Sequence, residues 1–245
     1  MLFILKLKDS VLDILFPPIC LNCENSLTKE EKNHGICDIC LSKITIHTAL
    51  FCEVCRARLP ENKKICHKNS QYLLGAATNY DEIIRKLIHQ FKYQQWQKIL
   101  NPLRIILETY LNNLQLDQAK LKNYIVIPIP LHKNRLQERG FNQAELIGKI
   151  VSEKYNLPLK TKILIRNKET KSQAELKNWD ERKNNLASAF KIENADELKN
   201  KPGSETNIIL VDDVYTSGAT IQEAVKILKE NNAKKIIALV IAKTR

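Results

Sequence analysis

All seven cysteines of this 245-residue chain fall between residues 20 and 66, and the 179 residues after Cys66 contain none. So short a segment can bury little apolar core, so cysteines concentrated there point to a stapled module. Four of them form two knuckles, Cys20-Leu-Asn-Cys23 and Cys37-Asp-Ile-Cys40, separated by thirteen residues. A C-x-x-C turn brings two thiolates close enough to share one tetrahedral ion, and a second turn completes the site. Disulfides would need an oxidising compartment, and the sequence carries no export signal. The four are therefore read as ligands of a structural Zn²⁺ on which folding of the segment depends. A second group follows: Cys52-Glu-Val-Cys55, ten residues, then Cys66-His67-Lys-Asn69, with Asn69 where another C-x-x-C would end. Two readings stay open here. Either His67 or His47 supplies a nitrogen ligand, or the site is degraded and leaves three thiols. Neither group is read as catalytic, because a closed ligand set leaves no coordination position for substrate.

Apolar residues make up 44% of the chain and charged residues 27%, the balance of a soluble globular protein. No apolar run approaches the roughly 18 residues needed to span a bilayer. The first sixteen residues are apolar but interrupted by Lys6, Lys8, Asp9 and Asp13. They read as an amphipathic helix rather than a signal peptide or anchor, and the expected compartment is the cytoplasm. The formal charge of +12 is unevenly spread. Residues 1–75 hold ten Lys/Arg against eight Asp/Glu, which leaves 29 against 19 in the remainder. The basic excess lies on the larger part and suits a polyanionic partner, a phosphorylated small molecule or nucleic acid. Aromatic residues are only 6%, and no basic run alternates with them as in a stacking platform for single strands.

The pattern predicts a strand over Gln71–Tyr80, then helices over Asp81–Tyr93 and Trp96–Leu114. Tyr124–Pro130 (YIVIPIP) reads as a buried strand that prolines terminate, and Phe141–Tyr155 as a helix. Residues 160–201 are basic and without periodicity, and are expected to form a long exposed loop, with a core face only at Leu186–Phe190. Asn207–Val211 as strand, Ala219–Asn231 as helix and Lys235–Ala242 as strand make a βαβ unit, which implies a parallel sheet covered by helices. The expected class is thus α/β, with an N-terminal helix and zinc module over 1–70 and the α/β domain over 71–245.

Chemistry concentrates in Ile209-Leu-Val-Asp-Asp-Val-Tyr-Thr-Ser-Gly-Ala-Thr220, at the carboxyl end of a strand where α/β sheets build their sites. Asp212 and Asp213 are adjacent on extended chain, so their side chains diverge. Two carboxylates at the end of an apolar strand need a ligand, a metal or solvent, and vicinal ribose hydroxyls with or without Mg²⁺ are suitable partners. Thr216, Ser217, Gly218, Ala219 and Thr220 open a helix, whose N–H groups, dipole and hydroxyls would enclose a phosphate. Gly218 lets the backbone approach closely. The chain has no G-x-x-x-x-G-K-[ST] and no G-x-G-x-x-G, which argues against the common nucleotide-binding loops.

The twelve-residue string resembles the motif with which type I phosphoribosyltransferases bind phosphoribosyl diphosphate (PRPP). The resemblance widens through Pro128-Ile-Pro-Leu-His132, Arg135 and Glu138-Arg139-Gly-Phe-Asn-Gln143. It continues through Gln173, Leu176, Arg182, Asn185 and Ala189-Phe190, and through the knuckles after Phe16-Pro-Pro. Together these residues are similar to the ComF family of competence-associated proteins over nearly the full chain, Asn69 being the departure. The resemblance implies a type I phosphoribosyltransferase fold with a zinc-ribbon-like module and Mg²⁺-PRPP as ligand. The two acids would take the ribose hydroxyls and the loop the 5-phosphate. Backbone donors around Leu131, His132 and Lys133 would take the pyrophosphate, with Arg135 and Arg139 gripping phosphate oxygens. The basic segment Arg166–Lys171 would stand where such enzymes carry a loop closing over the reacting centre. Two functions follow: a cytosolic DNA-uptake factor handling single-stranded DNA beside other uptake proteins, or an active phosphoribosyltransferase with a nitrogen acceptor. No acceptor pocket or general base is evident in the sequence, so it supports PRPP binding better than turnover.

Overall fold

The computed structural model describes residues 17–59, 66–93, 96–114, 116, 118–167, 189–198 and 206–244. The expected N-terminal helix lies outside the described residues. So do residues 168–188, with Lys171, Gln173, Leu176, Arg182 and Asn185. Strands β1 (Phe51–Cys52), β2 (Leu73–Asn79), β3 (Tyr124–Pro128), β4 (Leu164–Arg166), β5 (Phe190–Ile192), β6 (Thr206–Tyr215) and β7 (Ala233–Lys243) are formed. Helices are α1 (Asp38–Ser42), α2 (Glu82–Tyr93), α3 (Trp96–Leu114), α4 (Gln118–Leu121), α5 (Lys133–Arg139), α6 (Gln143–Tyr155) and α7 (Ala219–Glu230).

Five strands join in the order β1-β2-β7-β6-β3. Strands β2, β7, β6 and β3 run parallel, and β1 is an antiparallel edge on β2. Parallel strands are covered on both faces, which is why these segments read as unbroken apolar runs rather than alternations. All five residues of β3 are buried, as are Ile236–Ala242 of β7. The crossover from β6 to β7 is made by α7, which turns Ala224, Val225 and Leu228 into the core. Helix α6 packs on β3 and β6. It can approach because Gly148 carries no side chain; a Cβ there would stand 3.1 Å from Leu159 and 3.5 Å from Val126.

Packing divides the chain into two compact units that do not follow chain order: 1–45 with 81–105, and 46–80 with 106–245. In the smaller unit, Asp81 caps α2 by accepting from the Ile84 N–H at 3.0 Å. Lys86 on α2 donates to the Asn22 carbonyl at 2.5 Å and meets Glu24 at 3.2 Å, tying the helix to the first knuckle. Asn101 on α3 likewise donates to the Asn33 carbonyl at 3.0 Å. The larger unit holds the sheet and also the second cysteine group, whose Cys52 lies on β1.

Among the described residues of 160–201, Ile163–Arg166 departs from the expected exposed loop, while Ala189 and Phe190 fall in the core face expected at Leu186–Phe190. Leu164–Arg166 pairs antiparallel with Phe190–Ile192, and Ile163, Leu164, Ala189 and Phe190 are buried. Each strand is three residues long, too short to show a period of its own. Among the described residues no helix is long and apolar enough to cross a membrane.

Candidate functional site

In the smaller unit Cys20, Cys23, Cys37 and Cys40 converge, one sulfur from each lying within 4.8 Å of the others. The Cys23 and Cys37 sulfurs are 3.7 Å apart. Four thiolates on one tetrahedral ion at about 2.3 Å sit about 3.8 Å from one another, so this donor set fits zinc. Backbone groups favour the thiolate. Burial acts to raise the Cys20 thiol, but N–H groups of Cys23, Cys37 and Asn22 outweigh it and bring it down to about 6. The Asn22 side chain donates to the Cys40 sulfur at 3.2 Å, and second contacts of this kind orient ligands in metal sites.

The second group also closes. Cys52, Cys55, Cys66 and His67 place their ligand atoms within 4.8 Å of one another. His67 Nδ1 stands 3.0 Å from the Cys66 sulfur and 3.4 Å from that of Cys52, and the Cys55 and Cys66 sulfurs are 3.4 Å apart. His67 thus stands where Asn69 would have stood as the fourth ligand. His47 is occupied elsewhere: its Nδ1 lies 2.9 Å from the Ala76 carbonyl and its ring packs edge-on against Phe51.

The string Asp212–Thr220 spans the end of β6 and the start of α7. The strand continues past the acids to Tyr215, in register with Val240, Ala242 and Lys243 of β7. Asp212 is half-buried and Asp213 buried, and the Asp213 N–H donates to Asp212 Oδ1 at 2.8 Å. Alternation along the strand sends the two side chains to opposite faces. The chain then turns through Thr216 and Ser217 to Gly218, which has φ +82° and opens α7. A Cβ on Gly218 would fall 2.3 Å from the Tyr215 hydroxyl, so no other residue fits. Ser217 Oγ accepts from the Ala219 N–H at 3.4 Å. The turn is pinned from below, where the Thr244 N–H donates to the Tyr215 carbonyl at 2.9 Å and its hydroxyl to the Thr216 carbonyl at 3.1 Å. Asp212, Val214, Tyr215, Thr216, Gly218, Thr220 and Ile221 line a small concavity at the amino end of α7. Helix amino ends carry partial positive charge and attract anions.

The second expected loop leaves β3 beside this junction, Pro128 being in register with Val211 of β6. Leu131 is half-buried, and His132 is buried as the cap of α5, its Nδ1 accepting from the Asn134 N–H at 3.3 Å. Lys133 is exposed. Arg135 and Arg139 are both half-buried on α5, and Arg139 donates to Gln143 at 3.3 Å. Arg166 on β4 joins them electrostatically. Burial lowers its pKa, the charge of Arg135 lowers it further, and Asp212 opposes both. Its guanidinium also lies 5.5 Å over the Phe190 ring, which holds it in place.

A profile of the PRTase-CE family matches residues 77–244. The chain belongs to the PRTase-CE family. A profile of the double zinc ribbon domain matches residues 11–70. Competence protein ComFC of Bacillus subtilis (strain 168) is 28% identical over 230 residues, spanning 94% of this chain and 82% of that protein. DNA utilization protein YhgH of Escherichia coli (strain K12) is 27% identical over 226 residues, 90% of this chain and 94% of its own. Competence protein F of Haemophilus influenzae (strain ATCC 51907 / DSM 11121 / KW20 / Rd) is 28% identical over 226 residues, 89% and 93% respectively. The resemblance to the ComF family drawn from the sequence is borne out over about nine-tenths of the chain.

Sequence reading of this PRTase-CE chain gave Tyr215 no role, although it stands inside the motif. The motif's own geometry explains it: the ring fills the space under the turn that Gly218 leaves open. Two outcomes are expected. The purified chain carries two zinc ions, and Cys66→Ser with His67→Ala leaves one, as counted by a chromophoric chelator after thiol modification; two ions retained would remove the second group as a metal site. Gly218→Ala lowers stability of the larger unit by about 1–2 kcal/mol or more in chemical denaturation, from its left-handed backbone alone; an unchanged midpoint would contradict the crowding described.

Proposed function

We propose that this chain binds Mg²⁺-PRPP at the β6–α7 junction and serves DNA uptake in the cytosol as a ComF-type protein. The reading is carried by one juxtaposition: two carboxylates lie near the end of a buried parallel strand, Asp213 two positions before Tyr215 ends it, and a tight turn then leads into a helix amino end. Asp212 and Asp213 take the two ribose hydroxyls. Thr216, Ser217, Gly218, Ala219 and Thr220 surround the 5-phosphate with N–H and hydroxyl donors. Leu131, His132, Arg135 and Arg139 line the approach of the diphosphate, where guanidinium groups engage phosphate oxygens in pairs. Bound Mg²⁺ would neutralise part of the diphosphate charge. The names of the relatives from Bacillus subtilis, Escherichia coli and Haemophilus influenzae support the competence role. The excess of basic residues after position 75 suits contact with single-stranded DNA. Cysteine ligands that must stay reduced fit a cytoplasmic setting.

A second reading, transfer of the phosphoribosyl group to a nitrogen nucleophile with loss of pyrophosphate, is favoured by the charges gathered around Asp212. In that reaction the bond from the anomeric carbon to the diphosphate oxygen breaks and a carbon–nitrogen bond forms. The arginines would stabilise the departing diphosphate electrostatically. Asp212 would hold the ribose in line between leaving group and acceptor.

Calorimetric titration of Mg²⁺-PRPP into the zinc-loaded chain tests the shared premise. Binding in the micromolar range, about 8 kcal/mol, is expected, with loss of measurable heat in Asp212→Asn/Asp213→Asn. A well-folded wild type that takes up no PRPP overturns the assignment. Pyrophosphate release with a panel of nitrogen bases then separates the two readings.

A further inference from the structure

The second cysteine group lies in the same compact unit as the β6–α7 junction, and a chain of side chains connects them. It starts inside the knuckle Cys52-Glu53-Val54-Cys55-Arg56. Glu53 accepts from the Gln71 N–H, next in the chain to Tyr72. The Tyr72 and Tyr215 hydroxyls meet at 3.1 Å, both residues being buried. The Tyr215 hydroxyl stands beneath Gly218, 2.3 Å from where a Cβ there would be. Arg56 closes the circuit from the other end of the knuckle, its guanidinium standing 5.8 Å over the Tyr215 ring. Arg56 holds a left-handed backbone, φ +58°, that a non-glycine residue adopts only when its surroundings enforce it. Here they do, since the Arg56 N–H donates to the Cys52 carbonyl at 2.8 Å and the Cys52 N–H donates to the Ala57 carbonyl at 2.9 Å.

We propose that the Cys52/Cys55/Cys66/His67 centre is a positioning element for the anion-binding turn, acting through Arg56 and through the Tyr72–Tyr215 pair, which Glu53 joins to the knuckle at the Gln71 N–H. A divalent thiophilic cation bound there fixes both ends of the knuckle. Glu53 then holds the chain at Gln71, Tyr72 meets the Tyr215 hydroxyl, Arg56 fixes the ring, and together they hold Thr216–Thr220 in the shape that receives an anion. The converse follows by linkage: an anion seated on the turn strengthens metal retention at this centre by the same factor. The Cys20/Cys23/Cys37/Cys40 group, in the other unit, serves as the internal comparison. Only the anion arm of this inference rests on the PRPP reading; ordering of the turn by the metal centre does not.

The test uses the full zinc-loaded chain and amide hydrogen exchange over residues 215–221. Cys66→Ser is expected to speed exchange there by about tenfold, within the usual range of coupling between sites. Arg56→Ala, which keeps every ligand, is expected to do the same with two zinc ions still bound, and Arg56→Lys to restore protection. That rescue, together with unchanged zinc content, separates positioning from general loss of structure. In parallel, Mg²⁺-PRPP is expected to slow removal of one of the two zinc ions by a chelator, also about tenfold. Unchanged exchange at the turn in both Cys66→Ser and Arg56→Ala overturns the proposal. Faster exchange in both variants upholds the ordering of the turn; PRPP that binds in calorimetry yet leaves zinc release unchanged overturns the linkage, and PRPP that does not bind at all removes the PRPP reading instead.

Discussion

The Tyr215 hydroxyl occupies the place where a Cβ of Gly218 would have to go. That contact decides how the chain leaves β6, and the rest of the site follows from it. With the ring tucked under the turn, the backbone reverses within three residues and starts α7 at Ala219, directly over the end of the strand. The helix amino end and the two carboxylates are thereby held a few residues apart on a single rigid junction. The parallel neighbours β7 and β3 anchor it on both sides, and Thr244 fastens the turn from the far end of β7. A site placed on such a junction needs little reorganisation to receive a ligand, and the conformational cost is met in folding instead.

The two cysteine groups look alike in sequence but have different neighbours. The first is tied by Lys86 and Gln90 to α2 within the smaller unit, where Ile36, Ile84, Leu87 and Phe91 are fully buried. A metal there would join the two knuckles that otherwise belong to a short, loop-rich segment. The second is attached to the edge of the main sheet, where Phe51 and Cys52 pair with Leu74 and Leu73. That sheet already buries a large apolar surface, so a metal there adds local order rather than a folding nucleus.

Much of this was legible in the sequence because the decisive features are local. Strands β3, β6 and β7 are buried on both faces and so appear as unbroken β-branched runs, and α3 appears with the boundaries Trp96–Leu114. The acids, the hydroxyls and Gly218 lie within nine consecutive residues, where strand-to-helix chemistry can be read directly. What escaped reading depends on distant pairs. Tyr72 and Tyr215 are 143 positions apart, and nothing around either residue announces the other. Strands β4 and β5 are three residues each and pair with one another across a gap no spacing rule bridges. The choice between His67 and His47 turned on where β1 and β2 place them, since both spacings suit a ligand.

A crystal structure of the zinc-loaded chain with Mg²⁺-PRPP tests the central claim most directly. The 5-phosphate is expected on the N–H and hydroxyl groups of Thr216–Thr220, with the ribose hydroxyls on Asp212 and Asp213 and the diphosphate toward Arg135. Ligand density elsewhere on the chain, with this turn empty, would contradict it.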